Sequence, residues 1–265
     1  MRYLLILLCL LSLGAQAKVT VVTSILPLQQ IAAAIMQGAG QPELLIKNEA
    51  SAHHFAFKPS HFQLLQSTDL MIWIDRNFES GFQRVPEILR QKTIALELMR
   101  ALNLKNADGH IWYSPTLLPK IVELIGQALR EVDPAQSQIY QKNQQALQQK
   151  IADWVLFTQN RFTSVKPQYL LDHDFLSHFE AGFQIKAIAS IHDSHDQHGG
   201  IQTLQLIEQL LEQGVAKCLL TNETEVSKIG KNFADKFSLI AYKIAISGGF
   251  MGHLFGLTQT LASCR

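Results

Sequence analysis

The feature that most constrains this chain is a glycine-free, Gln-, Ala-, Leu- and Lys-rich stretch from Pro134 to Arg161. It lies between two runs of alternating strand and helix. As one helix it would reach about 40 Å at 1.5 Å per residue, more than one compact domain needs, so it reads as a backbone bridging two lobes. It closes a longer helical region from about Ser114 to Ser164, divided at Asp133-Pro134, with Pro134 at a favoured first-turn position. Before it, β-branched and apolar segments at Lys18 to Ser24, Leu44 to Lys47, Asp69 to Asp75 and Thr93 to Leu96 predict strands. Helical patterns lie at Pro27 to Gln37, Pro59 to Gln66 and Phe78 to Arg90. After it, strands are expected at Gln168 to Asp172, Phe183 to Ser190, Ala216 to Thr221 and Leu239 to Ile246. Helices are expected at Phe175 to Ala181, Ile201 to Gln213, Val226 to Lys236 and from Phe250. Such alternation implies βαβ units. The expected fold is α/β, with two lobes, each a parallel sheet flanked by helices, joined by the long helix.

The first 17 residues stand apart. Arg2 precedes an apolar run from Leu4 to Leu13, and Ala15-Gln16-Ala17 gives a small-x-small cleavage pattern. That is the layout of a secretory signal peptide, too short for a span of about 20 residues. Leu8 before Cys9 is a poor lipoprotein signature. Cleavage would remove Arg2 and no acid, leaving 22 basic against 22 acidic residues. This balance argues against a nucleic-acid partner, which asks for a basic surface. The expected divisions are 1–17 as signal peptide, 18–133 and 165–265 as lobes, and 134–164 as the linking helix. The expected address is the periplasm, for a mature monomer that does not span the membrane.

Two cysteines remain after cleavage, Cys218 and Cys264. An even number in an oxidising compartment predicts a disulfide tying the C-terminal tail to a strand, the alternative being two buried thiols.

All ten histidines lie beyond the signal. His53 sits in the loop after the second strand, His110 just before the long helical region, and His173 after the first strand of the second lobe. Ligands bind parallel sheets at the carboxyl ends of the strands, so loops from the two lobes would bring these three together across a cleft. Three neutral imidazoles suit zinc, and also copper or nickel. Asp108, Asp172 and Asp174 are candidates to hold the other ring nitrogens. Spacing alone leaves open that each histidine is a loop residue with a local hydrogen bond. His192, His195 and His198 recur every third residue in Ile191 to Gly200, either an auxiliary metal site or a solvated polar loop. His54, His61 and His178 read as hydrogen-bonding or surface residues. Trp73, Trp112 and Trp154 read as packing. Signatures of catalysis such as HExxH, a P-loop, GxSxG or CxxC are absent from the sequence.

Several segments together resemble the zinc/manganese class of ABC-transporter solute-binding proteins, and within it the periplasmic zinc-uptake binding proteins. His53-His54-Phe55-Ala56-Phe57-Lys58-Pro59-Ser60 is similar to that family's histidine-loop motif, whose first histidine binds metal. Ser67-Thr68-Asp69-Leu70-Met71 is similar to the strand that follows it. Asp108-Gly109-His110-Ile111-Trp112-Tyr113-Ser114-Pro115 is similar to the motif of the second ligand, and His173-Asp174-Phe175 with Phe179 to that of the third. The resemblance implies metal ligands at His53, His110 and His173, with histidine at the third favouring zinc where manganese members place glutamate. It also implies a Cys218–Cys264 disulfide, and Zn²⁺ as cargo for an inner-membrane ABC permease, without catalysis. The sequence departs from the family at Ile246-Ser247-Gly248-Gly249-Phe250, which lacks the fourth, acidic ligand, leaving water or His253 for that place. It also departs at Lys105 to Asp108, which replaces a long His-rich loop, and at Ala52, where some relatives carry an acid. Two other readings use the same residues. One is a zinc hydrolase with three histidines and a water, Glu223 the nearest base; the other is a metal-binding adhesin, storage protein or metallochaperone on the same fold.

Overall fold

The computed structural model describes residues 19–47, 55–105, 107–193, 200–223, 225–244 and 249–265. Residues 1–17, expected to be a signal peptide, His53 and His54, His195 and His198, and residues 246–248 lie outside the described residues.

The first lobe runs β1 (Val21–Thr23), α1 (Leu26–Met36), β2 (Glu43–Leu44), α2 (Pro59–Ser67), β3 (Leu70–Trp73), α3 (Val85–Ile88), β4 (Ile94–Glu97) and α4 (Leu98–Ala101). The four strands are parallel, in the order β2-β1-β3-β4. Two helices follow, α5 (Leu118–Val132) and α6 (Ser137–Ser164). The second lobe repeats the plan with β5 (Tyr169–His173), α7 (Ser177–Phe183), β6 (Ala189–His192), α8 (Ile201–Glu212), β7 (Cys218–Thr221), α9 (Lys228–Phe237), β8 (Ile240–Lys243) and α10 (Phe250–Ser263). Its parallel order β6-β5-β7-β8 matches the first sheet strand for strand. The short apolar runs of β1, β3 and β7 are buried throughout, as parallel strands covered on both faces require.

The long helix α6 has 28 residues, about 42 Å at 1.5 Å per residue. Its buried positions, Tyr140, Gln144, Leu147, Ile151, Trp154, Thr158 and Phe162, recur every three or four residues and form one stripe. The first half grips the first lobe, where Asn143 Nδ2 donates to the carbonyls of Ile35 (3.0 Å) and Gln37 (2.8 Å) at the end of α1. The second half grips the last helix, where Trp154 Nε1 donates to Leu254 O and Thr258 Oγ1, both at 3.2 Å. Apolar side chains from both lobes and α6 merge into one continuous buried cluster. A smaller cluster around Leu170, Ile191, Ile207 and Leu219 covers the outer face of the second sheet. A shared core of this kind opposes wide hinge motion of the lobes.

Several elements differ from the sequence expectation. The helix expected over Phe78 to Arg90 is a 3-10 turn, Ser80–Arg84, followed by the four-residue α3. Pro86 has no N–H to give the Phe82 carbonyl, which Val85 N–H takes instead. His173 is the last residue of β5, not a loop residue after it. The strand expected from Phe183 begins only at Ala189, because Gln184 takes a left-handed conformation (φ 56°) and Glu180 Oε1 accepts from Ala187 N–H (2.9 Å), holding the intervening turn. Cys218, opening β7, and Cys264, just past α10, form a disulfide with Cα atoms 5.5 Å apart. Trp73, Trp112 and Trp154 are all buried.

Candidate metal site

In each sheet the chain leaves the central strand on opposite sides, between β1 and β3 and between β5 and β7, and this topological switch opens a crevice at the strands' carboxyl ends. His173 ends β5 at such a point. His110 approaches from the first lobe, at the entry to a 3-10 turn, Ile111–Tyr113. Both are buried, at 1% and 2% exposure, and their rings meet edge to face with centroids 5.1 Å apart.

His110 is held in one orientation. Phe78 stands edge-on to its ring at 5.0 Å and Trp112 at 5.2 Å. Gly109 makes this possible, since a Cβ there would lie 2.2 Å from the Phe78 ring. Asp108 Oδ1 lies 2.7 Å from His110 Nδ1 and also accepts the His110 backbone N–H at 3.2 Å. Burial by itself would raise the Asp108 carboxyl. The facing His110 and the hydrogen bonds from His110 and Ser177 outweigh burial and hold it below the usual carboxylate range. An ionised carboxylate only accepts, so Nδ1 carries the proton and Nε2 is the unprotonated nitrogen, the tautomer a metal ligand needs. Burial lowers the His110 pKa, Asp108 opposing it only in part, so the ring is neutral at neutral pH.

The other predicted residues divide by face. Side chains alternate along a strand: Tyr169 and Leu171 of β5 turn to the shared core, Leu170 turns to the outer cluster, and His173 shares the parity of the first two. Asp172 shares the outer parity of Leu170. Its carboxylate accepts from Ser227 N–H (2.7 Å) and Ser227 Oγ (2.5 Å) ahead of α9. Its backbone carbonyl, 2.6 Å from His192 Nδ1, accepts that ring's proton. His192 is the register partner of His173 on the neighbouring strand and is nearly buried, at 9% exposure. Asp174 N–H donates to His192 O at 3.1 Å, and burial, with the Asp108 charge adding, raises its carboxyl.

The remaining histidines among the described residues are tied into the fold. His61 Nδ1 accepts from Lys58 N–H (3.0 Å) at the start of α2. His178 Nε2 donates to the Asp108 carbonyl at 2.7 Å. His253 on α10 shares a buried 3.0 Å hydrogen bond with the Tyr113 hydroxyl. Glu223, the base of the hydrolase reading, gives its backbone N–H to Thr221 Oγ1 at 3.2 Å. Among the described residues no group of three metal-binding side chains comes together; His53, the third predicted ligand, is not among them. Sequence reasoning missed Ser177, whose Oγ donates to Asp108 Oδ2 at 2.5 Å. A single serine after a predicted metal motif carries no signal that it reaches the opposite lobe.

Two like-ordered parallel sheets are thus joined by one long helix, with two buried imidazoles meeting between the lobes. The chain belongs to the family described as zinc-uptake complex component A, periplasmic (ZnuA), whose profile matches residues 21–247. Among its relatives is the high-affinity zinc uptake system protein ZnuA of Yersinia pestis, 26% identical over 241 residues, covering 77% of this chain and 75% of that one. The ZnuA of Haemophilus ducreyi is 23% identical over 256 residues, covering 84% and 83%. The fold is shared with a mutant structure of the laminin-binding adhesin Lmb of Streptococcus agalactiae, at a TM-score of 0.79 and 19% identity, over 92% of this chain and 99% of that one.

Proposed function

We propose that the mature protein captures Zn²⁺ in the periplasm, between imidazoles of His53, His110 and His173, and hands it to an inner-membrane ABC permease. The observation that carries this reading is the pairing of His110 and His173 from opposite lobes, 5.1 Å between ring centroids, with the Asp108 carboxylate 2.7 Å from His110 Nδ1. Three imidazoles without a carboxylate favour zinc over harder ions such as manganese, which prefer oxygen donors. Membership of a zinc-uptake family supports the same cargo. The metal is bound and released unchanged, so no step asks for a base. The divisions that go with this role are lobes at 18–133 and 165–265 and a linking helix at 134–164. No helix among the described residues is long and apolar enough to cross a membrane.

His192 extends the reading to an auxiliary site with His195 and His198. Its Nδ1 donates to the Asp172 carbonyl, so Nε2 is the basic nitrogen of the ring.

Calorimetric titration of metal-stripped protein starting at Lys18, with zinc and then manganese, tests both parts. One tight zinc equivalent with weak manganese binding is expected for the primary site, and a second, weaker zinc equivalent for the auxiliary one. No tight zinc binding would overturn the uptake role.

A further inference from the structure

We propose that Ser177 and His178 of the second lobe form a latch on Asp108 of the first, and that this latch sets the orientation and tautomer of His110. The proposal deepens the zinc-capture reading and rests on it for its effect on zinc.

Asp108 is held from two directions. From its own lobe, His110 engages Oδ1 through Nδ1 (2.7 Å) and through its backbone N–H (3.2 Å). From the opposite lobe, the Ser177 hydroxyl donates to Oδ2 (2.5 Å) and His178 Nε2 donates to the Asp108 carbonyl (2.7 Å). Both partners stand at the start of α7, which packs so closely on the first lobe that a Cβ at Gly182 would lie 2.2 Å from the Pro115 ring. The carboxylate that fixes His110 is therefore itself fixed across the cleft. If the lobes separate, Asp108 loses two of its restraints, its carboxylate turns more freely, and His110 is no longer confined to the Nδ1-protonated form. Binding at His110 and His173 and closure of the latch then favour one another, since each stabilises the same inter-lobe arrangement. Neither Ser177 nor His178 need touch the metal; both are positioning residues. Outer partners of metal-binding histidines typically contribute 10–100-fold in affinity, roughly the effect expected here.

The test uses the full mature chain and two readouts. Imidazole ¹⁵N NMR of the metal-free protein reports the His110 tautomer without reference to zinc, and stopped-flow transfer to a chelator reports zinc release. Ser177→Ala is expected to mix the His110 tautomers and to speed zinc release about 10–100-fold, while Ser177→Thr, which keeps the hydroxyl, restores both. Combined with Asp108→Ala, Ser177→Ala should add nothing further. An unchanged His110 tautomer in a folded Ser177→Ala overturns the latch whatever zinc does. Should that variant fail to fold, His178→Ala is measured in the same two ways, and an unchanged tautomer there overturns the latch equally. A tautomer that mixes as expected in a protein that binds no zinc leaves the latch standing and overturns the zinc reading instead.

Discussion

His110 and His173 approach from separate lobes and meet edge to face, ring centroids 5.1 Å apart, each almost wholly withdrawn from solvent. The pair spans the two lobes, so a metal held between these rings would depend on the relative placement of the lobes. Removing either imidazole, by His110→Ala or His173→Ala, is expected to weaken zinc binding by more than the roughly 10–100-fold of an outer partner. Competition against a chromophoric chelator measures it. Wild-type affinity in either variant would remove that residue from the ligand set.

The long helix is locked to the last helix by a buried hydroxyl pair, Thr158 Oγ1 to Thr258 Oγ1 at 2.9 Å. Thr258→Val strands the Thr158 hydroxyl and is expected to lower stability by about 1–3 kcal/mol in urea unfolding. The double variant with Thr158→Val should recover most of the loss, because apolar replacement of both partners is nearly neutral. Trp154 keeps its second acceptor, Leu254 O, in either case.

The Cys218–Cys264 bridge closes a 46-residue separation between the start of β7 and the tail. Reduction, or paired replacement by alanine, is expected to cost about 3–4 kcal/mol, chiefly through the unfolded chain. Denaturant midpoints with and without reductant would show it, and unchanged midpoints would mean the bridge adds nothing to stability.

Glu79 is fully buried, with Oε2 accepting from Ile74 N–H at 2.9 Å, and burial pushes its carboxyl up to about 8. Between the ordinary glutamate value and 8 the folded state keeps a proton that the unfolded state has released. Stability therefore falls as pH rises through that window, with a slope from this one group of about 1.4 kcal/mol per pH unit. Glu79→Gln keeps the shape and an acceptor without the charge. Unfolding at several pH values should show a flatter profile for the variant. Parallel profiles would mean that Glu79 does not titrate differently on folding.

Much of this protein was settled by local chemistry. The buried apolar runs of β1, β3, β5 and β7 and the single stripe on α6 are properties of short stretches. Periodicity therefore reveals the paired parallel sheets and the bridging helix directly, and the cysteine count in an oxidising compartment points to the bridge. Element ends were harder, because they turn on competition for individual backbone groups: Pro86 stops one helix, and Glu180 with left-handed Gln184 delays β6. Of the candidate site, residue type and topological position anticipated that His110 and His173 would meet, while His53 lies outside the described residues. Only the tertiary structure decided which carboxylate serves which ring. Alternation along β5 turns Asp172 away to Ser227, while the packing of α7 against the first lobe delivers Ser177 and His178 to Asp108. Strand and helix periodicity is a short-range property of the chain. Contacts across the cleft depend on how two surfaces distant in sequence meet, and that is set by the core the lobes share with α6.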